Sequence, residues 1–296
     1  MRYYALPLLA VLIYSGNTVV TRLAADVISP AAITFYRWFF AALLLTPFVA
    51  AGAWRNRQRI YPHLGKLAVL GILGMVLYQG LAYIAGKSTP ATNMGIIASL
   101  IPLMTVLLSM PLLREPPTTG ALAGGLLSLT GLVVLIGHGS PAALLSAGIG
   151  QGDLIMLAAS FAYAAYGVLV RKWAVPLPIW QSLYVQIWWA VLFLLPFFLS
   201  GPLEPLTARN MPFILYATIP TSILAPYLWM LALKLLGASQ ASIFLNLVPL
   251  LTALIAILWA GERLEYYHCI GGALILAGVA LAQRLKRPLG KWAPVT

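Results

Sequence analysis

Long apolar segments follow one another along the chain, and short stretches with proline, glycine or charged residues separate them. A helix that crosses a membrane needs about 20 mostly apolar residues. Breaks such as Pro116-Pro117 and Gly201-Pro202 carry the residues of tight turns, so the connections are expected to be short. The pattern predicts an all-α polytopic membrane protein with ten transmembrane helices. The predicted spans are 3–21, 30–51, 65–85, 92–113, 119–137, 152–171, 178–200, 212–234, 239–260 and 268–285.

The composition agrees with a chain that lies in lipid. Of its 296 residues, 61% are hydrophobic and 8% are charged, and the mean hydropathy is +0.93. A soluble domain carries roughly a quarter charged residues. The N-terminal segment resembles a signal peptide. We expect it to be retained, because it has a counterpart in the second half of the chain.

The net charge of +12 is distributed unevenly across the predicted membrane. One side carries Arg2, Arg55, Arg57, Arg59, Lys66, Arg114, Arg171, Lys172, Lys234, Arg284, Lys286, Arg287 and Lys291, and the other carries Arg22, Lys87, Arg209 and Arg263. Lys and Arg collect on the cytoplasmic side of short loops, so both termini are expected to be cytoplasmic. Anionic membrane lipid, not nucleic acid, is the expected partner of this charge.

The chain contains an internal repeat, which predicts two five-helix domains at residues 1–141 and 142–296. At an offset of 149, the matched pairs include Tyr14 with Tyr163, Arg22 with Arg171, Ala41 with Ala190 and Pro47 with Pro196. Beyond the next loop the offset is 147, and it pairs Lys87 with Lys234, Pro102 with Pro249, Glu115 with Glu262, and Gly124, Gly125 and Gly131 with Gly271, Gly272 and Gly278. Because five is odd, the second half is inverted in the membrane. Inverted repeats are typical of secondary transporters that work by alternating access.

These features together resemble a known family. Ten spans in a 5+5 inverted repeat, Lys87 and Lys234 at the ends of spans three and eight, central prolines in spans four and nine and glycine-rich spans five and ten are similar to the EamA-type branch of the drug/metabolite transporter superfamily. The resemblance covers residues 3–285, and more narrowly the chain looks like the YddG-type exporters of aromatic amino acids. It implies a bacterial inner membrane and the export of amino acids (Phe, Tyr, Trp, Thr or Met-like) and related drugs.

Polar residues inside the spans indicate a central cavity, since such groups are costly in lipid and face inward. The candidate substrate-binding residues are Tyr14, Asn17, Tyr78, Gln79, Tyr83, Asn93, Tyr163, Tyr166, Trp229 and Asn246. Aromatic walls suit an aromatic or apolar amino acid by stacking and can attract its ammonium group. Two alternatives stay open: Tyr and Trp also form belts at the membrane interface, and Asn also joins helices by hydrogen bonds.

Three further residues are candidates for hinges or gates. Pro102 and Pro249 lie at mid-span, where each removes a backbone donor and kinks its helix; a static kink is the alternative to a hinge. Arg37 is a charge within span two that stays protonated. It is expected to bind a substrate carboxylate or to form a gate contact, and snorkelling to the interface is the alternative.

The sequence lacks the residues that several functional classes require. The six acidic residues, Asp26, Glu115, Asp153, Glu204, Glu262 and Glu265, fall at span ends or in loops, which favours uniport or exchange over tight proton coupling. The sequence has no phosphate-binding loop for ATP and no metal-ligand spacing among its histidines. We therefore expect a transporter that is not an enzyme and that needs no cofactor or metal. A membrane enzyme for a lipid or isoprenoid substrate is the alternative, although no cluster of acids or nucleophile pair supports it.

Small residues on spans five and ten leave the oligomeric state open. Gly120, Gly124 and Ser128 form one line of small residues, and Ala273 and Ala277 form another. Such lines allow helices to approach closely, either within one chain or across a dimer seam. A monomer is the favoured expectation.

Overall fold

The computed structural model describes residues 2–24, 27–85, 88, 94, 97–137, 150–201, 204–260 and 265–289. Within these residues the chain forms helices and no β-strand, apart from an isolated bridge between Thr118 and Pro288. The main helices are α1 (Ala5–Ala24), α2 (Pro30–Arg55), α3 (Leu64–Gly71, Ile72–Leu77 and Tyr78–Ala85), α4 (Ile101–Leu113), α5 (Thr119–Ile136), α6 (Gln151–Trp173), α7 (Ile179–Leu199), α8 (Met211–Tyr216, Ala217–Leu224 and Ala225–Leu236), α9 (Ala238–Ser242, Ile243–Asn246 and Leu247–Ala260) and α10 (Tyr266–Arg284).

Several of these helices are long and apolar enough to cross a membrane. By length and composition, the described residues contain seven such ranges: Pro30–Arg55, Arg57–Ala82, Gln151–Trp173, Ile179–Leu199, Met211–Leu236, Ala238–Ile255 and Tyr266–Arg284. Shorter apolar helices occupy Ala5–Val20, Ile101–Leu113 and Thr119–Leu135. The predicted all-α polytopic class is confirmed, and the count of ten spans stays a prediction.

Two helices begin where the local sequence predicts a start. Ser29 precedes Pro30, and its Oγ accepts a hydrogen bond from the Ala32 N–H at 3.3 Å. Thr118 does the same for the Ala121 N–H at 3.1 Å, at the start of α5. A side-chain oxygen at this position satisfies one of the backbone donors that a helix leaves unpaired at its first turn.

Helices α3 and α8 each contain a π-helical segment at the same place in the proposed repeat. The Tyr78 N–H donates to the Leu73 carbonyl, and the Ala225 N–H donates to the Pro220 carbonyl. These two bonds are related by the offset of 147. Because α3 has leucine where α8 has proline, proline alone does not account for both segments. Single π turns are frequently found at functional sites.

Contacts divide the chain into two compact units, and each unit combines segments from both halves of the sequence. The first unit comprises Met1–Gln79 and Trp173–Ala232, and the second comprises Gly80–Lys172 and Leu233–Thr296. The predicted domains, 1–141 and 142–296, divide the chain by the order of the proposed repeats. Their boundary falls outside the described residues, and this division stays a prediction.

In the first unit, α2 and α7 pack against each other in antiparallel directions. The Phe35 and Phe198 rings stack with centroids 4.3 Å apart. Further along α2, Thr46 Oγ1 lies 3.0 Å from the Tyr184 hydroxyl, and Asn56 Nδ2 donates to Gln181 Oε1 at 3.0 Å. Residue numbers rise on α2 as they fall on α7, which gives the antiparallel direction. Between these contacts lie Ala41 and Ala190, both fully buried.

In the second unit, α5 and α10 pack in antiparallel directions through glycines. A Cβ added to Gly131 would lie 2.6 Å from the Gly271 carbonyl oxygen, and one added to Gly278 would lie 2.5 Å from the Gly124 carbonyl oxygen. Between these pairs, Ser128 Oγ donates to the Ile275 carbonyl at 3.3 Å. Only glycine allows the two backbones to approach this closely.

Candidate functional site

The predicted gate residue Arg37 lies in the interior of the first unit and is 2% exposed. Its Nε donates to Ser222 Oγ at 2.7 Å, and its Nη1 donates to Gln79 Oε1 at 3.4 Å. The guanidinium carbon lies 5.2 Å from the centroid of the Trp38 ring. Hydrogen bonds from a charged donor are stronger than neutral ones. Arg37 therefore joins α2 to α3 and α8, and it does not extend to the surface.

Both partners of Arg37 are placed by the π-helical segments. Ser222 lies within the segment of α8, and Gln79 follows the segment of α3 by two residues. Sequence reasoning predicted Gln79 as a site residue but missed Ser222. The available signal was that an arginine within a span requires an acceptor, and Ser222 belongs to a polar stretch of α8 with Thr218 and Thr221.

Other buried polar atoms of the first unit have no hydrogen-bond partner among the described residues. They include Thr34 Oγ1, Trp38 Nε1, His63 Nδ1, Gln186 Oε1 and Thr218 Oγ1. Leaving a buried polar group unsatisfied costs about 1–3 kcal/mol. Buried water commonly satisfies such groups, and a polar ligand would do the same. Gln186 is the repeat counterpart of Arg37 at the offset of 149.

On α1, the candidate binding residues Tyr14 and Asn17 are half-buried. Gly16 lies between them, and the Tyr216 hydroxyl of α8 occupies the space that a side chain would fill at Gly16. That hydroxyl donates to the Ile13 carbonyl at 3.3 Å. Sequence reasoning missed Tyr216, because nothing in the local pattern relates it to α1.

The aromatic candidates of the first unit differ in burial. Tyr78 is half-buried directly after the π-helical segment of α3. Trp229, by contrast, is 2% exposed within α8. Close by on α7 and α8, Trp180 and Tyr227 stack with centroids 4.0 Å apart and planes 11° apart. The first unit thus contains several flat aromatic surfaces, of which Trp229 is enclosed in this conformation.

In the second unit, Tyr163 and Tyr166 lie together on α6 with ring centroids 5.8 Å apart. Asn246 on α9 is 1% exposed, and neither its Nδ2 nor its Oδ1 has a hydrogen-bond partner among the described residues. A buried carboxamide needs both donors and acceptors nearby. A water molecule or polar ligand at Asn246 would therefore satisfy a donor and an acceptor at once.

The two hinge candidates lie next to irregular backbone. Before Pro249, residues Ile243–Asn246 form a 3₁₀ turn. Before Pro102, the Leu100 N–H donates to the Ile97 carbonyl at 3.0 Å, which is also a three-residue step. The structure thus places a tightened turn ahead of each proline. Movement at these turns stays a prediction.

Two of the predicted site residues cannot be placed. Asn93 and the side chain of Tyr83 lie outside the described residues. Among the predicted residues that are described, Arg37 contacts Gln79, and Tyr163 contacts Tyr166.

Two carboxylates bind backbone N–H groups at helix starts. Glu204 accepts from the Ser29 N–H with both oxygens at 3.0 Å, and Asp153 Oδ2 accepts from the Gly150 N–H at 2.7 Å. A carboxylate near the start of a helix is favoured by the helix dipole. Within the described part of the chain, no group of three or more His, Cys, Asp or Glu side chains is arranged to hold a metal ion.

Apolar helices of membrane-spanning length, with an arginine and several polar groups enclosed among them, define a polytopic helical membrane protein. The sequence model of the EamA-like transporter family matches residues 1–137 and 150–283, and the chain belongs to this family of the drug/metabolite transporter superfamily. The resemblance to the EamA-type branch is thereby confirmed.

Relatives and a solved structure are similar over nearly the whole chain. The uncharacterized transporter YyaM of Bacillus subtilis is 27% identical over 95% of this chain and 93% of its own length. A probable terminal-alkyne amino-acid exporter of Streptantibioticus cattleyicolor is 26% identical over 91% of this chain and 89% of its own length. A protein crystal structure matches with a TM-score of 0.76 at 22% identity, over 96% of this chain and 97% of that one, and thus shares the fold.

Proposed function

We propose that this protein exports amino acids with aromatic or apolar side chains, together with related small amphiphiles, by alternating access in the bacterial inner membrane. Export proceeds as uniport, with both termini in the cytoplasm. Transport as such follows from the family. The substrate class, the direction and the mechanism are the content of the proposal.

The observation that carries the mechanism is the pairing of equivalent helices. The first unit joins α2 to α7, and the second joins α5 to α10, in each case in antiparallel directions. When each glycine is replaced by its repeat counterpart, the contact Gly124–Gly278 becomes Gly271–Gly131 and the reverse. The repeat thus maps each of these two contacts onto the other. A local two-fold relation of this kind supports an inverted duplication. Such duplications provide two halves that exchange roles around a central site.

The substrate class is inferred from the side chains of the candidate site. Tyr14, Tyr78 and the Tyr163–Tyr166 pair offer aromatic surfaces, which attract both rings and ammonium groups. Asn246 offers an unsatisfied donor and acceptor. A relative named as an amino-acid exporter, at 26% identity, agrees with this class.

Transport by the purified protein in liposomes tests the proposal. We expect saturable uptake of labelled phenylalanine, tryptophan, tyrosine or methionine without a pH gradient. Replacing Tyr14, Tyr78 or Tyr163 by Ala should lower uptake, whereas Tyr61→Ala, at an exposed residue of the α2–α3 turn, is the matched control. Lack of uptake of every amino acid tested would refute the substrate class, and dependence on an imposed proton gradient would refute uniport.

The two roles considered for Arg37 give different kinetics. Arg37→Lys keeps the charge but removes the Nε donor that binds Ser222. If Arg37 is a gate contact, as its bonds to α3 and α8 favour, the maximal rate should fall while KM changes little. A rise in KM at constant maximal rate would instead assign Arg37 to the substrate carboxylate.

A topology measurement tests the orientation. A reporter fused after Thr296 should be active only in its cytoplasmic form, because the basic loops are expected on that side. A reporter that is active in the periplasm would contradict the proposed cytoplasmic C-terminus and, with a cytoplasmic N-terminus, the even total of ten spans.

A further inference from the structure

Gly16 of α1 and Tyr216 of α8 form a close contact between the two helices. A Cβ added to Gly16 would overlap the Tyr216 hydroxyl oxygen and would lie 3.1 Å from Tyr216 Cζ. The hydroxyl thus occupies the position of the missing side chain. No other residue type at position 16 leaves this space.

The hydroxyl also forms a directed bond. Tyr216 donates to the Ile13 carbonyl at 3.3 Å. In an α-helix this carbonyl also closes the turn that ends at Asn17. The turn from Ile13 to Asn17 carries Tyr14 and Asn17, the two candidate binding residues of α1. The bond therefore fixes the part of α1 that presents both side chains.

Tyr216 itself is held by an unusual backbone. It is the last residue before the π-helical segment of α8. Pro220 has no N–H to donate to the Tyr216 carbonyl, and Thr221 Oγ1 donates to that carbonyl instead, at 3.3 Å. The same segment carries Ser222, which binds Arg37 of α2. One segment of α8 thus connects to both α1 and α2.

The contact joins the two halves of the proposed repeat, and the repeat provides no second copy of it. The counterparts of Gly16 and Tyr216 are Ala165 and Val69, which provide neither the space nor the hydroxyl. A contact needed only to join the two repeats would be expected at both symmetry-related places. Its restriction to α1 points to a role specific to the residues that α1 carries.

We propose that Tyr216 is a positioning residue for the substrate site. Its hydroxyl, seated at Gly16 and bonded to the Ile13 carbonyl, holds the turn that presents Tyr14 and Asn17 to the substrate. As far as the substrate is concerned, this proposal rests on the proposed function.

Three variants test it as a double-mutant cycle: Gly16→Ala, Tyr216→Phe and the double variant. The added methyl group displaces the hydroxyl, so Gly16→Ala should raise KM for the transported amino acid about tenfold, the scale of an overpacked contact. Tyr216→Phe loses one interhelical hydrogen bond and should raise KM about threefold. In the double variant the overlapping oxygen is gone, and KM should return to within about threefold of the wild type. Maximal rates should change less than KM, because the turn presents binding residues.

A second readout does not require a known substrate. The chain has one cysteine, the exposed Cys269. In a Cys269→Ser background, Asn17→Cys reports the placement of the turn through its rate of reaction with a maleimide. Gly16→Ala should change that rate at least about threefold. Adding Tyr216→Phe to Gly16→Ala should restore the rate of the Asn17→Cys protein.

Matched controls separate positioning from general damage. Tyr184→Phe removes a hydroxyl that meets Thr46 between α2 and α7, away from α1. Gly65→Ala adds a Cβ that meets no atom of the described residues within 4 Å. Both should leave KM and the thiol rate unchanged. An unchanged thiol rate in Gly16→Ala, or no rescue in the double variant, would overturn the role of Tyr216. If the wild type transports no amino acid tested, the proposed function fails, and the thiol rates still decide this proposal.

Discussion

The two antiparallel seams of the molecule differ in what lies between their helix backbones. In the α5–α10 seam, glycines bring backbone against backbone, and a Cβ on Gly131 would lie 2.6 Å from the Gly271 carbonyl oxygen. In the α2–α7 seam, side chains separate the backbones: Phe198 stacks on Phe35 at 4.3 Å, and Tyr184 meets Thr46 at 3.0 Å. At its glycine pairs the first seam brings backbone atoms within reach of each other, whereas the second is filled by side chains throughout.

This difference follows from how helices associate in lipid. No hydrophobic effect draws apolar helices together there, so close van der Waals contact and hydrogen bonds provide the association. Backbone atoms cannot move away from an added methyl group without shifting a whole helix, whereas side chains can change rotamer. We therefore expect the glycine seam to respond sharply to added atoms and the side-chain seam to respond gradually to atoms removed.

The largest effect is expected for Gly131→Ala in the glycine seam. The new methyl group would meet the Gly271 carbonyl oxygen at 2.6 Å, Leu274 Cβ at 2.7 Å and the Ile275 nitrogen at 2.8 Å. Overpacking of this kind costs about 1–3 kcal/mol and occasionally more. The free energy of unfolding, measured by reversible denaturation in detergent or bicelles, checks this value.

Gly125→Ala is the control on the same helix. Among the described residues its Cβ would meet Leu103, whose Cδ2 at 3.1 Å is the tip of a flexible side chain. Replacing Gly by Ala in a compatible helix changes stability by about 0.4–1 kcal/mol in the favourable direction. Equal stability of the Gly131 and Gly125 variants would contradict the comparison of the two seams.

Which of these glycines contact each other could not be predicted from the sequence. The offset of 147 makes Gly124 equivalent to Gly271 and Gly131 equivalent to Gly278. The structure instead brings Gly131 to Gly271 and Gly124 to Gly278. Equivalent positions result from the duplication of the sequence, whereas contacting positions depend on how the two helices cross. Of the small residues that the sequence left open for a dimer seam, Gly124 and Ser128 contact α10 within the chain.

Local chemistry was predictable, and long-range contacts were not. The starts of α2 after Ser29 and of α5 after Thr118 follow from capping side chains that lie within three residues of their partners. The bond from Arg37 to Ser222 joins residues 185 positions apart, and only packing brings them together. The π-helical segments likewise lack a local signal, since one contains Pro220 and the other does not.

A smaller effect is expected for Phe198→Leu in the side-chain seam. Leucine keeps apolar bulk but loses the stack on Phe35 and the edge contact with Tyr36, whose centroid is 5.2 Å away. An aromatic pair contributes about 0.5–1.5 kcal/mol beyond buried area, so the free energy of unfolding should fall by that amount. Phe197→Leu, at a neighbouring ring that is 67% exposed, should change it little. A larger loss for the Phe197 variant would mean that the seam is not held by these rings.

The smallest effect is expected where α2 and α7 share one hydrogen bond. Thr46 Oγ1 donates to the Ala42 carbonyl at 2.7 Å, so its single proton is used, and the Tyr184 hydroxyl is the donor in the 3.0 Å contact between them. Interhelical hydrogen bonds in membranes average about 0.6 kcal/mol, so Thr46→Val and Tyr184→Phe should each lower the free energy of unfolding by about that amount. Because both variants remove the same bond, the double variant should cost no more than either one. Additive losses would mean that the two hydroxyls act independently and that no hydrogen bond between them stabilises the α2–α7 seam.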